Sequence, residues 1–335
     1  MQTLDSLTLL VIVDNATDAL SSPSPAVPRT NEPQRLLAAA DAAGQDGASV
    51  FDQFGHACHG LSVLLTACAG DHEHTVLFDA GPDADVWLAN IARLGVDVAS
   101  IEHVVLSHWH FDHSGALPVV LAQIAGARAA AGLAPPVLDL HPDRPVQRGI
   151  ADAQGRVMYF PPEPTFDALA ATGADLQVSA DRHGTADDLL TISGAIARTV
   201  DYESGTPGHR SRGEDGSWAE DVLLTDERSL TADVRGRGLT VLTACAHAGV
   251  VNTCRDALTS AGTDHLDLVL GGFHLGGAAV EDRIGRTVAD LRALSPTAVA
   301  PGHCTGWRAT AALAHAFGEE RCSPSSVGAR FELIG

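Results

Sequence analysis

The sequence predicts an α/β fold, and three observations carry that reading. Short runs rich in β-branched and aliphatic residues recur along the chain, and helix-like stretches rich in Ala and Leu lie between them. Several of the runs end in Gly, His or Asp, where an α/β sheet assembles its sites. A chain of 335 residues that is 45% apolar can bury a sizeable core, and with aromatics at 4% that core is aliphatic.

Taken in order, "LTLLVIV" at 7–13 is the first strand. Asp14 closes it after a strand's length and no basic residue precedes it, so it reads as a strand rather than a secretory leader. "LSVLLTA" (61–67) and "TVLF" (75–78) follow, then a helix over 84–94, the strand "HVVL" (103–106) and a helix over 116–131. A second regular block sets the strands 239–244, 266–270 and 297–300 among helices over 250–260, 281–294 and 308–317. Between the blocks, about 141–238, turn-forming stretches such as "FPPEPTF" and "ESGTPGHRSRGEDGS" dominate. We read this as an irregular insertion within a single domain spanning 1–335, with 204–217 as an exposed loop, a lid. No run approaches the roughly 18–20 apolar residues that span a bilayer.

The formal net charge is −21, spread along the chain, and all 21 basic residues are Arg. Such a surface disfavours nucleic-acid backbones and anionic membranes, so the expected partner is a small molecule, with self-association into a homo-oligomer left open. Six cysteines without a C-x-x-C pair are the reduced thiols of a cytoplasmic protein.

The chemistry concentrates in "LSHWHFDHSG" at 106–115. His108 and His110, two apart in an extended segment, project to one side, and Asp112 and His113 follow where the chain turns towards a helix near Ser114 and Gly115. Imidazoles with a carboxylate suit Zn²⁺, Fe²⁺ or Mn²⁺ better than Mg²⁺ or Ca²⁺, which prefer all-oxygen sites. Three later histidines, His247 in "TACAHAGVVN", His274 in "GGFHLGG" and His303 in "PGHCTGW", also follow strand-like runs beside small residues. The remaining histidines, His209 among them, lack that pairing of strand end and glycine, apart from His59.

"LSHWHFDHSG" resembles the signature of the metallo-β-lactamase superfamily, which implies an αββα sandwich with a metal site along one edge. In that resemblance His108 and His110 bind a first metal, and Asp112 and His113 a second. "LFDAG" at 77–81 looks like the superfamily's D-x-G strand end, which would put Asp79 behind a ligand histidine, although a turn or cap role fits it too. The later blocks, with "VIVDNATD", "CHGLSVLL", "LTISGAIARTVDYE" and "DVLLTDERSL", resemble one branch almost end to end. That branch includes archaeal dihydropterin–ribofuranosylaminobenzene phosphate synthases and bacterial hydrolase-like proteins. Ala244, Ala246, Ser193 and Cys58 depart from its pattern near the expected pocket, which puts substrate identity in doubt more than metal binding.

The resemblance implies a two-zinc hydrolase, with Fe²⁺ or Mn²⁺ as alternative ions, in which metal-bound hydroxide attacks a small ester, lactone, amide or phosphoester. His247 would complete the first metal's ligands and His303 the second's. Asp112 would also steer the attacking water, and His274 would contact substrate, bind metal or serve the fold. His59, Arg198 and Arg210 are weaker candidates for binding substrate. Cys245 and Cys304 read chiefly as buried packing residues, with nucleophile or thiolate-ligand roles as alternatives. A pterin- or ribosyl-phosphate transferase and a non-catalytic metal- or ligand-binding protein remain the rival functions.

Overall fold

A computed structural model describes residues 1–335 apart from 23, 25, 26, 28, 31, 50 and 52. Two large sheets pack face to face, and helices cover their outer faces. Among the described residues, eight strands form the first sheet in the order Asp175–Val178, Val137–Leu140, Ile101–Val105, His72–Phe78, Ser62–Ala69, Ser6–Val13, Arg330–Ile334, Arg29–Thr30. The second runs His183–Thr185, Leu190–Ile192, Leu230–Val234, Gly238–Thr243, Leu266–Gly272, Ala298–Gly302, with Thr3–Leu4 paired to Leu230–Val234.

Side-chain alternation builds the layers. In Ser6–Val13, Leu7, Leu9 and Val11 enter the core between the sheets, while Leu10, Ile12 and Val13 enter a second core under the outer helices. A strand buried on both faces is apolar throughout, so "LTLLVIV" is continuous rather than alternating. Leu268 and Leu270 likewise face the first sheet, and Val269 faces the helices on the far side. The helix Ala84–Leu94 begins at Asp83, whose carboxylate accepts the N–H groups of Asp85 and Val86, and ends at Gly95, where φ is 67°. Its Trp87, Ile91 and Leu94 recur at helical spacing and pack on the first sheet.

The three strands that precede the later histidines are parallel neighbours, with Thr243 opposite Gly271 and Gly272 opposite Gly302. Their carboxyl ends therefore fall along one edge. The same holds for His72–Phe78 and Ile101–Val105, where Phe78 lies opposite Val105.

The region 141–238 is more ordered than its composition suggests. Residues 190–192 and 230–234 belong to the second sheet, and Gln147–Ala151, Val157–Tyr159, His209–Arg212 and Trp218–Glu220 make a separate four-stranded sheet. The expected exposed loop at 204–217 is thus corrected. Gly205, Thr206 and His209 are buried, and exposure falls on Ser204, on Pro207 and on the turn at 213–217 with Arg212 beside it. The Gly- and Ser-rich "GEDGS" marks the tight turn of a hairpin, not a long loop.

Candidate metal centre

Five strand ends converge on one volume, and the backbone turns there by conformations that side chains rarely adopt. Asp79, Ala246, His274 and His303 have φ of 59°, 57°, 47° and 45°, each just beyond a strand. Gly271, at φ 122°, allows the neighbouring strands to close, because a Cβ there would sit 1.8 Å from the Thr243 carbonyl oxygen.

Two donor groups result. In the first, His108 Nε2 lies 3.0 Å and His247 Nε2 lies 3.2 Å from His110 Nδ1. In the second, Cys245 Sγ is 3.2 Å from His113 Nε2 and 3.3 Å from His303 Nε2, and Asp112 Oδ2 is 3.3 Å from that same His303 nitrogen. Within each group the ligating atoms lie within 4.8 Å of one another. His274 joins Cys245 and His247 in a third set with the same spacing, its ring 4.2 Å from that of His247.

Every imidazole of the two groups has its outward nitrogen held. Ser107 Oγ is 2.8 Å from His108 Nδ1, His209 Nε2 is 3.0 Å from His110 Nε2, and Thr206 Oγ1 is 3.2 Å from His247 Nδ1. Asp79 Oδ2 takes His113 Nδ1 at 2.8 Å, and Asn15 Oδ1 takes His303 Nδ1 at 3.0 Å. Asp79 also accepts the N–H and hydroxyl of Ser107, so one buried carboxylate serves both groups. This is how proteins orient histidines towards a metal.

Electrostatics agree with that use. Burial, then a neighbouring imidazole in each case, pushes His108, His110 and His247 well below the usual histidine range, which leaves their lone pairs free. Burial opposes a proton on His113, but the Asp112 and Asp79 carboxylates outweigh it and raise this residue to about 9. Burial likewise opposes charge on Asp112, yet the histidines around it hold it well below the carboxylate range. Three neutral imidazoles in the first group, and in the second a carboxylate, a thiol and histidines of which His113 would release its proton to an incoming cation, fit Zn²⁺ or a similar borderline ion.

The tripeptide Asp226-Glu227-Arg228 braces the site from behind. Asp226 accepts the Trp109 N–H at 2.7 Å and pairs with the buried Arg148, whose guanidinium also binds the Trp109 carbonyl. Glu227 accepts the N–H groups of His247 and Ala248, both at 2.6 Å. Arg228 donates to the Leu106 carbonyl and to Asp139.

The structure brings His108, His110, Asp112, His113, His247, His274, His303 and Asp79 together. His59 stands at the edge, exposed, with Nε2 3.4 Å from Asp112 Oδ2. Arg198 and Arg210 do not take part. Arg198 spends its guanidinium on the carbonyls of Glu203, His247 and Leu223, and Arg210 reaches its own strand's carbonyl and Glu220. Cys245 is more than packing, because its thiol sits among the second group's donors. His209 enters the site although no apolar strand-like run leads up to it. The alternation of His209–Arg212 turns it inward, and a short run of charged residues hides that alternation.

A cavity of about 480 Å³ opens onto both donor groups and is lined by His110, Asp112, Cys245, His247, His274 and Cys304 at its chemical end. Its walls come from Phe111, from the small sheet's Ile150, Phe160 and Pro207, and from the loop 276–280.

The comparisons bear on this arrangement. Residues 57–210 match the metallo-β-lactamase superfamily. A 7,8-dihydropterin-6-methyl-4-(β-D-ribofuranosyl)-aminobenzene-5'-phosphate synthase of Methanocaldococcus jannaschii is 26% identical over 274 residues, 78% of this chain and 86% of that protein. The uncharacterised protein MJ0448 of the same organism is 26% identical over 256 residues, 76% of this chain and 87% of its own. The crystal structure of Tm1679, a metal-dependent hydrolase of the β-lactamase superfamily, superposes with a TM-score of 0.69 at 20% identity, covering 98% of this chain and 100% of that one, a likeness of fold. The matched segment holds four of the converging donors, the relatives cover most of the chain, and the fold is shared almost throughout: this chain resembles the metallo-β-lactamase superfamily, which its residues 57–210 match.

Proposed function

We propose that this chain is a metal-dependent hydrolase with a two-metal centre. His108, His110 and His247 would hold one ion, and Asp112, His113, Cys245 and His303 the other. The observation that supports it most is that five buried imidazoles each offer one nitrogen inward while a fixed partner holds the other. Zinc, or Fe²⁺ or Mn²⁺ in its place, would supply Lewis acidity and lower the pKa of water towards neutrality. The bond cleaved is an ester, lactone, amide or phosphoester in a small substrate.

The chain's own groups do the rest. Asp112 orients the attacking water. His274 lines the cavity, its Nδ1 lacks a hydrogen-bond partner, and it passes a proton to the leaving group. Asp79 and Asn15 keep the second group's imidazoles aimed. The phosphate-synthase relative favours a second reading, a transfer reaction on a pterin or ribosyl phosphate.

The test is His108→Ala and His110→Ala, with metal counted by elemental analysis and turnover followed on ester and phosphoester probes. Both variants should lose most bound metal and activity. Wild-type metal content in either variant would refute the ligand assignment. Intact metal binding in the wild type, with pterin or sugar-phosphate turnover and no hydrolysis, would favour the transferase.

A further inference from the structure

We propose that the substrate is a neutral carboxylic ester or lactone carrying a medium-length apolar acyl chain, and that the small four-stranded sheet holds that chain. The inference rests on the hydrolase reading above and narrows it.

The cavity's volume, about 480 Å³, is that of a site for a drug-sized ligand. Away from the donor groups its walls are apolar: Phe111, Ile150, Phe160, Pro161 and Pro207 face Ala279 and Val280 of the loop 276–280 across it or beside it. The apolar character runs on outside. Ile150 pairs with Met158 on the adjacent strand, and Met158 and Tyr159 are 67% and 68% exposed, so apolar surface leads from the cavity towards solvent.

Charge points the same way. The chain has no Lys, and among the described residues no Arg lines the cavity. The arginines around it are already matched. Arg148 pairs with Asp226 and Asp221, Arg198 is bound to three carbonyls, and Arg144 reaches Glu214. A substrate with a phosphate remote from the scissile bond would meet no cation there, in a protein whose net charge is −21. The cavity therefore suits an acyl chain better than the ribosyl phosphate named for the archaeal relative.

In the reaction, the water oxygen bonds to the acyl carbon and the acyl C–O bond to the alcohol breaks. One water proton passes to the leaving alkoxide by way of His274, and the other leaves as the carboxylic acid ionises.

The experiment uses the metal-loaded full chain and a series of p-nitrophenyl esters from acetate to octanoate. p-Nitrophenyl phosphate and bis(p-nitrophenyl) phosphate serve as anionic counterparts. Burying a methylene is favourable by about 0.8 kcal/mol, so kcat/KM should rise roughly two- to fourfold per carbon until the cavity is filled. Phe160→Ala and, independently, Ile150→Ala should shrink the hexanoate-to-acetate ratio of kcat/KM, a ratio that fraction folded or metal loading leaves unmoved. Ester turnover with a flat chain-length profile, or faster turnover of either phosphate probe, would overturn this inference and leave the hydrolase reading standing. No hydrolysis of any probe by metal-replete protein would overturn both.

Discussion

Replacing Asp226 by Asn tests whether the ligand histidines are held by a buried ion pair behind them. Asp226 Oδ2 accepts both the Trp109 N–H at 2.7 Å and Arg148 Nη1 at 3.0 Å, and Oδ1 accepts Arg148 Nη2 at 2.7 Å. Both partners are nearly fully buried, with 3% and 1% of their side-chain surfaces exposed. An amide of the same shape must turn its NH₂ towards one of these donors, whichever way it lies, and Arg148 keeps Asp221, 2.9 Å away, as an ion-pair partner. Breaking a buried pair costs about 3–5 kcal/mol, and the surviving Asp221 contact places this case near the lower end, about 3 kcal/mol. For a chain of this size that lowers Tm by roughly 4 °C. Trp109 lies between His108 and His110, so metal should also be held about tenfold less tightly. Urea unfolding gives the first quantity and competition with a chromophoric chelator the second. A double variant, Arg148→Met with Asp226→Leu, should recover stability without recovering metal affinity, because the Trp109 N–H stays unheld. A loss below about 1 kcal/mol in Asp226→Asn, with unchanged metal retention, would refute the bracing role.

Two further outcomes follow from the site. His113 is raised to about 9 in the metal-free chain, so its contribution to stability is fully present below the unfolded value near 6.5 and is lost as pH rises through 9. Metal-free protein should therefore lose about 2 kcal/mol between pH 7.5 and 9.5, and His113→Gln should flatten that slope; an equal slope in the variant would exclude His113 as its source. His209→Gln should weaken the first metal about tenfold, since His209 Nε2 holds His110 Nε2 at 3.0 Å, while the second metal stays bound. Loss of both metals alike in calorimetric titration would point to a general structural role instead.

What could be read from the sequence was what the chain carries locally. His108, His110, Asp112 and His113 fall within six positions on a strand-to-helix junction, so their convergence needs no knowledge of distant segments. The apolar runs announced their strands because a doubly covered sheet buries both faces. Asp226 and Arg148 are 78 positions apart, and His110 and His209 are 99 apart, so only strand register brings them together. Local signals also pointed the wrong way. A thiol beside alanines reads as packing, yet the turn through Ala246 carries Cys245 into the donor set. A polar, glycine-rich segment reads as a lid, yet four residues of it pair with Gln147–Ala151 and deliver His209 and Pro207 to the cavity. The ligand motif was thus legible, while the small sheet that walls the cavity was not. Members that share the motif are expected to differ in substrate through that sheet, because its residues line the cavity without entering either donor group.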